Sequence, residues 1–109
     1  MEQVDYKSER ENYVNIIRHS LAKLPHIGMD YFARRVQCEC ENSVPKGERS
    51  KFKLGVEQDR KTCGVYILNN LKFVPNYELG VIAGEMIRRI EDYENNNLYS
   101  NADWKESGW

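Results

Sequence analysis

Residues 76–95 have the clearest helical pattern in the chain. Apolar side chains recur there every three or four positions, at Leu79, Ile82, Ala83, Met86, Ile90 and Tyr93. A helix with one apolar face needs a partner surface, so the rest of the chain must fold against it. Asn76 suits the N-cap and Glu78 the positive end of the helix dipole. Glu85 is predicted to form an ion pair with Arg89, one turn further on.

Two more helices are predicted near the N-terminus. Ser8 and Glu11 form the S/T-x-x-E pattern of a capping box, which predicts a helix over 9–24 that Pro25 ends. After a short loop at 26–28, a second helix is predicted over 29–41. Their apolar positions are Tyr13, Val14, Ile17, Leu21 and Leu24 in the first, and Met29, Phe32, Ala33 and Val36 in the second.

The middle of the chain changes period. Phe52, Leu54 and Val56 alternate with polar residues or glycine, and a second alternating run covers 63–68. With a third strand at 71–74, these runs predict a small antiparallel β-hairpin or three-stranded sheet. The expected fold class is therefore α+β, with two N-terminal helices and a long C-terminal amphipathic helix beside the sheet. The nearly continuous apolar run at 63–73 is also compatible with a helix, which leaves an all-α fold as the alternative.

Length and charge limit the kind of protein. We expect one globular domain over residues 1–95 and a polar, aromatic C-terminal tail over 96–109, since 109 residues suffice for one domain. The net charge of −1 excludes a strongly basic protein. Residues 44–72 nevertheless hold seven basic and three acidic side chains, whereas 75–109 hold three basic and seven acidic ones.

No secretory signal or membrane-spanning run is recognisable, so a cytoplasmic location is expected, with no membrane partner. The three cysteines, Cys38, Cys40 and Cys63, are expected to be free thiols. Cys38 and Cys40 are two residues apart, so on one helix they point in different directions and are poorly placed to bind one metal ion. We therefore expect no metal and no cofactor.

The corner Leu21-Ala22-Lys23-Leu24-Pro25-His26-Ile27-Gly28 resembles the helix-hairpin-helix motif of DNA repair and recombination proteins. His26 stands where that motif has a glycine. The resemblance implies sequence-independent binding of a DNA phosphate by backbone N–H groups at the start of the second helix. The candidate DNA-binding residues are Lys23, His26, Ile27, Gly28, Arg34, Arg35, Lys51 and Lys53.

Our first hypothesis is a small non-catalytic binding protein, a regulator or inhibitor that occludes a site on a larger host or nucleic-acid-handling protein. Its composition is similar to that of phage and mobile-element products. The acidic last helix and tail would contact a basic surface, and aromatic side chains often anchor interfaces. The candidate protein-binding residues are Glu91, Asp92, Glu94, Asp103, Trp104 and Trp109.

Glycines inside the last helix indicate a close approach of another element, because each costs about 1 kcal/mol against alanine there. Gly80, Ala83 and Gly84 are therefore candidates for self-association in a homodimer. A third hypothesis is a small anionic ligand, such as a nucleotide, held between subunits. No phosphate-binding loop, nucleophile elbow or H-E-x-x-H motif is present, so the chain is not expected to be an enzyme.

Overall fold

The computed structural model describes residues 6–95, which form four α-helices and two short 3-10 helices. The helices are α1 (Tyr6–Leu21), α2 (His26–Asn42), α3 (Arg60–Asn70) and α4 (Asn76–Asn95), with 3-10 helices at Lys46–Phe52 and Leu71–Phe73. No strand occurs within this range. The 96–109 tail lies outside the described residues.

The α+β prediction is wrong, and the all-α alternative describes the fold. The predicted strand at 63–68 lies inside α3, which Asp59 caps by accepting a hydrogen bond from the Thr62 backbone N–H at 2.6 Å. The buried residues of α3 recur at helical spacing: Arg60, Cys63, Gly64 and Ile67. The alternation of residues did not distinguish a strand from a helix here. Nearly every residue in this run is apolar, so the pattern fits both the two-residue period of a strand and the 3.6-residue period of a helix.

The other two predicted strands are also wrong. A strand at 52–56 would place Phe52, Leu54 and Val56 on one face, yet Phe52 is buried and Val56 is 88% exposed. Phe52 instead ends the first 3-10 helix, and residues 53–59 form a loop without regular structure. Residues 71–73 form the second 3-10 helix, which Val74 and Pro75 connect to α4.

The corner between the first two helices is tighter than predicted. α1 already includes Tyr6, so Ser8 lies inside the helix and is not its N-cap. It ends at Leu21, and Pro25 occupies the N-cap position of α2. The predicted 26–28 loop is therefore the first turn of α2, since proline's fixed φ suits the start of a helix.

The predicted bounds of α4 are confirmed, and all six apolar residues of its stripe are buried. α4 packs mainly against α1, whereas α2 packs mainly against α3. Tyr13 in the middle of α1 lies against Gly80 near the start of α4, and His19 near the end of α1 lines a pocket with Ile90 near the end of α4, so these two helices run parallel. α2 runs antiparallel to α4, because its first turn approaches Tyr93 and its middle contacts Glu85.

Two arginines join distant segments through backbone carbonyls. Arg60, at the start of α3, is only 3% exposed and donates to the carbonyl oxygens of Leu21 and Leu24 at the end of α1. Burial lowers the pKa of Arg60. Arg10 on α1 donates to the carbonyl oxygens of Leu71 and Val74 at 2.6 and 2.7 Å. These contacts add hydrogen bonds to carbonyl groups near helix ends, and two of these groups, Leu21 and Leu71, also accept from the backbone N–H three residues later.

Within residues 6–95, no helix has both the length and the apolar character needed to cross a membrane.

Candidate functional site

The N-terminal half of α2 and the C-terminal half of α4 meet at one end of the molecule. Gly28 is buried there, and a Cβ atom at this position would lie 2.9 Å from the Tyr93 hydroxyl oxygen. A larger residue would push the two helices apart. Gly28 therefore serves the contact between α2 and α4, and its side of the helix is closed to an outside ligand.

The 53–59 loop lies along α2 and is attached to it at two points. Arg34 Nη2 donates to the carbonyl oxygens of Gly55 and Val56 at 2.8 and 2.7 Å. His26 Nε2 lies 2.7 Å from the carbonyl oxygen of Gln58. A carbonyl only accepts, so Nε2 of His26 carries the proton. Two turns of α2 separate these attachments, which hold the loop along one side of the helix.

Along this side of α2 and the loop, three apolar side chains are exposed. Ile27 is 71% exposed and Val56 is 88% exposed, with Tyr31 one turn after Ile27 also exposed. Ile27, Tyr31 and Arg34 share the outward face of α2 because they lie four and three residues apart. Arg34 binds the backbone of Val56, which places Val56 beside that face. We call Ile27, Tyr31 and Val56 the Ile27 patch.

Polar contacts from α4 fix the position of Tyr31. Its hydroxyl donates to Glu85 Oε2 at 2.8 Å, and the Arg89 guanidinium lies 3.9 Å from the centre of its ring. Arg35 contacts the other oxygen of Glu85 at 2.9 Å. The predicted ion pair between Glu85 and Arg89 is confirmed, with its closest atoms 3.5 Å apart. Tyr31 is therefore held in place before any partner arrives.

The pKa of Glu85 reports the strength of this network. Partial burial acts to raise it, but the hydrogen bond from Tyr31 and the positive charges of Arg35 and Arg89 outweigh burial. The net effect lowers the pKa of Glu85 below its ordinary value. Glu85 is therefore ionised at neutral pH and connects α2 to α4.

The predicted acidic residues of α4 lie at the same end of the molecule. Glu91, Asp92 and Glu94 are exposed and flank Tyr93, which contacts the first turn of α2. Glu91 and Asp92 line a pocket with Arg89, which contacts Tyr31 of the Ile27 patch, and Glu91 and Glu94 line another with Lys23. The acidic residues therefore lie among cations near the patch. The other predicted protein-binding residues, Asp103, Trp104 and Trp109, lie outside the described residues.

The predicted DNA-binding residues do not form one surface. Lys23 and Ile27 are exposed near the start of α2, but Gly28 is buried. His26 and Arg34 bind the 53–59 loop, and Arg35 binds carboxylates of α2 and α4.

Lys51 and Lys53 belong to a different region of the surface. Lys51 Nζ lies 5.4 Å from the ring centre of Phe52 and 5.2 Å from that of Phe73. The 3-10 helix that carries it is attached near the far end of α2, where Arg49 donates to the Glu41 carbonyl. At 1.5 Å per residue, the His26 and Glu41 ends of α2 are roughly 22 Å apart. A ligand must therefore be extended to contact both groups.

The self-association candidates differ in accessibility. A Cβ at Gly80 would lie 3.0 Å from the Tyr13 ring, so this glycine allows α1 to approach α4. Ala83 is buried in the core. Gly84 is exposed, and a Cβ there would meet no other atom of the described part of the chain within 4 Å. Of the three, Gly84 alone is open to another molecule.

The cysteines have contrasting environments. Cys40 and Cys63 are buried, and burial is the main reason that the pKa of each thiol rises to about 11. Cys38 is exposed on α2. Among residues 6–95, no three histidine, cysteine or acidic side chains are grouped closely enough to hold a metal ion.

Comparisons with protein-family models, curated proteins and solved structures find no match. The fold and the chemistry of its surface are therefore the basis for any functional conclusion. Sequence reasoning missed Tyr31 and Val56 as surface residues. Tyr31 lies seven residues before Cys38 and four after Ile27, so a helical wheel extended to residue 26 would have placed it on the outward face.

Proposed function

We propose that the chain is a non-catalytic protein-binding module that occludes a basic site on a larger protein. The observation that carries this proposal is the Ile27 patch, in which exposed apolar side chains are held by hydrogen bonds on a folded scaffold. Neighbouring Glu91, Asp92 and Glu94 give the contact surface its acidic charge. Such a protein acts as a regulator or inhibitor by covering a surface that the partner uses for another ligand.

The energetics favour this surface as a binding site. Burying an isoleucine or valine side chain contributes about 1.5–3 kcal/mol, so Ile27 and Val56 are suitable anchors. Tyrosine and arginine are enriched among residues that dominate binding energy, and Tyr31 and Arg89 already contact each other here. Because Tyr31 is held in place, binding loses less side-chain entropy than with a mobile residue. Acidic residues around the apolar centre select a basic partner and steer its approach.

The test compares two charged substitutions on the full chain. Ile27→Asp removes the most central apolar group of the patch, whereas Val65→Asp places the same charge at an exposed valine of α3. A partner is captured from a lysate of the producing cells, identified, and titrated against each variant. We expect Ile27→Asp to weaken binding by about 10-fold or more and Val65→Asp to leave it unchanged. Equal binding by both variants would exclude the Ile27 patch as the interface.

Sequence-independent DNA binding is a second candidate, favoured by the start of α2. Pro25 provides no side-chain cap, and the first turn of α2 contains no acidic residue. Backbone N–H groups at such a position suit a phosphate. The exposed acids at the end of α4 oppose it, since they place negative charge beside the same turn.

Fluorescence anisotropy with a labelled duplex and a labelled single strand decides between the two candidates. Micromolar binding that weakens steeply between low and physiological salt would establish contacts to phosphates and favour the second candidate. No binding at low salt would eliminate it and leave protein binding as the proposed function.

A further inference from the structure

The outward face of α4 contains a second row of residues, separate from the buried stripe. Tyr77, Val81, Gly84 and Arg88 are spaced by four, three and four positions, which is the spacing of a coiled-coil interface. Tyr77 is 79% exposed, and Gly84 and Arg88 are exposed as well. We call these four residues the α4 seam. It lies away from the Ile27 patch, so inferences about the two surfaces are independent.

Gly84 has no function within the described part of the chain. A glycine inside a helix costs about 1 kcal/mol relative to alanine. At Gly80 the close packing of Tyr13 offsets this cost, but no atom of residues 6–95 lies within 4 Å of a Cβ at Gly84. A helix from another molecule packed on α4 would use the missing side chain, because glycine allows the two backbones to approach closely.

We propose that α4 pairs with α4 of a second copy of this chain, in antiparallel orientation about a two-fold axis. Antiparallel helices with this spacing pack residues of one seam in layers against those of the other. In one layer Val81 packs against Gly84 of the partner subunit. In the next, Tyr77 packs against Arg88 of the partner subunit. The two-fold axis repeats both layers, so each contact forms twice.

The seam is complementary to itself in shape and in charge. Val81 is half-buried and provides the side chain that would fill the space left by Gly84, while Arg88 is the cation and Tyr77 the aromatic face that receives it. Glu9 and Tyr77 line the same groove of about 470 Å³ between α1 and α4. An arginine that reaches Tyr77 therefore also meets a carboxylate. The α4 seam therefore contains both members of each layer: valine and glycine in one, tyrosine and arginine in the other. A second copy of the chain provides the matching residues, as expected for an interface with two-fold symmetry.

The first experiment measures the mass of the full chain, 12.9 kDa as a monomer, by sedimentation equilibrium across a range of concentrations. The wild type is expected to form a dimer. Gly84→Glu places a charge opposite Val81 of the partner subunit and should weaken the dimer by about 100-fold or more. The same variant should keep or raise the melting temperature under monomeric conditions, because the site is open and glutamate favours helices.

Asn12→Glu on the exposed face of α1 is the matched control and should leave the dimer unchanged. A wild-type chain that remains monomeric up to about 1 mM would overturn the proposal. So would a Gly84→Glu variant that dimerises as tightly as the wild type.

The second experiment tests the orientation of the helices with a short thiol cross-linker. Tyr77→Cys and Arg88→Cys are made separately in a Cys38→Ser background, which removes the exposed native thiol. The antiparallel pairing predicts that a mixture of the two proteins forms a covalent dimer more efficiently than either protein alone. Efficient cross-linking of Tyr77→Cys to itself would show a parallel arrangement and would overturn the proposed pairing.

Discussion

Replacing Arg60 with methionine tests how the ends of two helices are connected. Arg60 lies at the start of α3, is 3% exposed, and donates to the carbonyl oxygens of Leu21 at 2.8 Å and Leu24 at 2.5 Å. The Leu21 carbonyl also accepts a hydrogen bond from the Leu24 backbone N–H at 3.3 Å, so the Leu24 carbonyl, in the turn after α1, depends most on Arg60. Methionine fills much of the same volume without a donor, so Arg60→Met removes the hydrogen bonds and leaves much of the packing.

The expected loss follows from the groups left behind. A buried carbonyl without a partner costs about 1–3 kcal/mol. This cost applies chiefly to Leu24, because the Leu21 carbonyl keeps its hydrogen bond from the Leu24 backbone N–H. Removing a buried charge returns part of this, since burial disfavours the charged guanidinium and lowers the pKa of Arg60. The net loss in the free energy of unfolding is about 1–2 kcal/mol, against a total of about 5–15 kcal/mol for a domain.

Urea unfolding followed by circular dichroism measures this loss. Arg18→Met, an exposed arginine on α1, is the control and should change the free energy of unfolding by less than about 0.5 kcal/mol. Arg60→Lys keeps the charge but loses the fork of donors, so it should be intermediate. If Arg60→Met were as stable as the Arg18→Met control, the capping of α1 by Arg60 would not contribute to stability and the reasoning would be refuted.

Three further predictions concern the pH dependence, the thiols and the contact between α2 and α4. Because the pKa of Glu85 is lowered in the folded state, its ionised form stabilises the fold above about pH 4.5, and this stabilisation is lost as the pH falls through the lowered pKa. Glu85→Gln should therefore be less stable than wild type at pH 7. Unfolding curves recorded at decreasing pH should show this difference becoming smaller. Iodoacetamide at pH 8 should modify the exposed Cys38 quickly. It should leave Cys40 and Cys63 unmodified until the chain unfolds, since both thiols are buried and have pKa values of about 11. Mass spectrometry of samples taken over time would contradict this prediction if adducts formed on all three cysteines at the same rate. Gly28→Val should lower the free energy of unfolding by about 1–3 kcal/mol, because the added side chain overpacks the contact with Tyr93. A urea unfolding curve identical to that of the wild type would show that α4 can shift to accommodate the larger side chain without cost.

The sequence was sufficient for α4 and insufficient for α3, for a physical reason. In α4 the apolar residues lie on one face and the polar residues on the others, so only the helical period of 3.6 residues fits the pattern. In α3 the exposed Val65 and the buried Ile67 are equally apolar, so hydrophobicity does not distinguish the two faces. The stronger local sign is Asp59 three residues before Thr62, an N-cap arrangement that favours a helix.

The candidate site depends even more on distant contacts. From the sequence, Arg34 was a candidate for binding a DNA phosphate. In the structure its guanidinium donates hydrogen bonds to the backbone carbonyls of residues 55 and 56 instead. The same hydrogen bonds help to place Val56 on the surface, where alternation predicted a side chain facing a sheet. The sequence identifies Arg34 as a hydrogen-bond donor with a positive charge. It does not identify the acceptors of Arg34, because the fold brings them close from about twenty positions away.

The parallel contact between α1 and α4 has a consequence for how the chain folds during synthesis. Arg10 binds carbonyls more than sixty positions later, at Leu71 and Val74, and α1 packs mainly on the final helix. Among the described helices, α1 is therefore synthesised long before its main packing partner, whereas α2 and α3 can associate earlier. The apolar side of α1 lacks this partner throughout that interval, so final docking of the fold waits for α4.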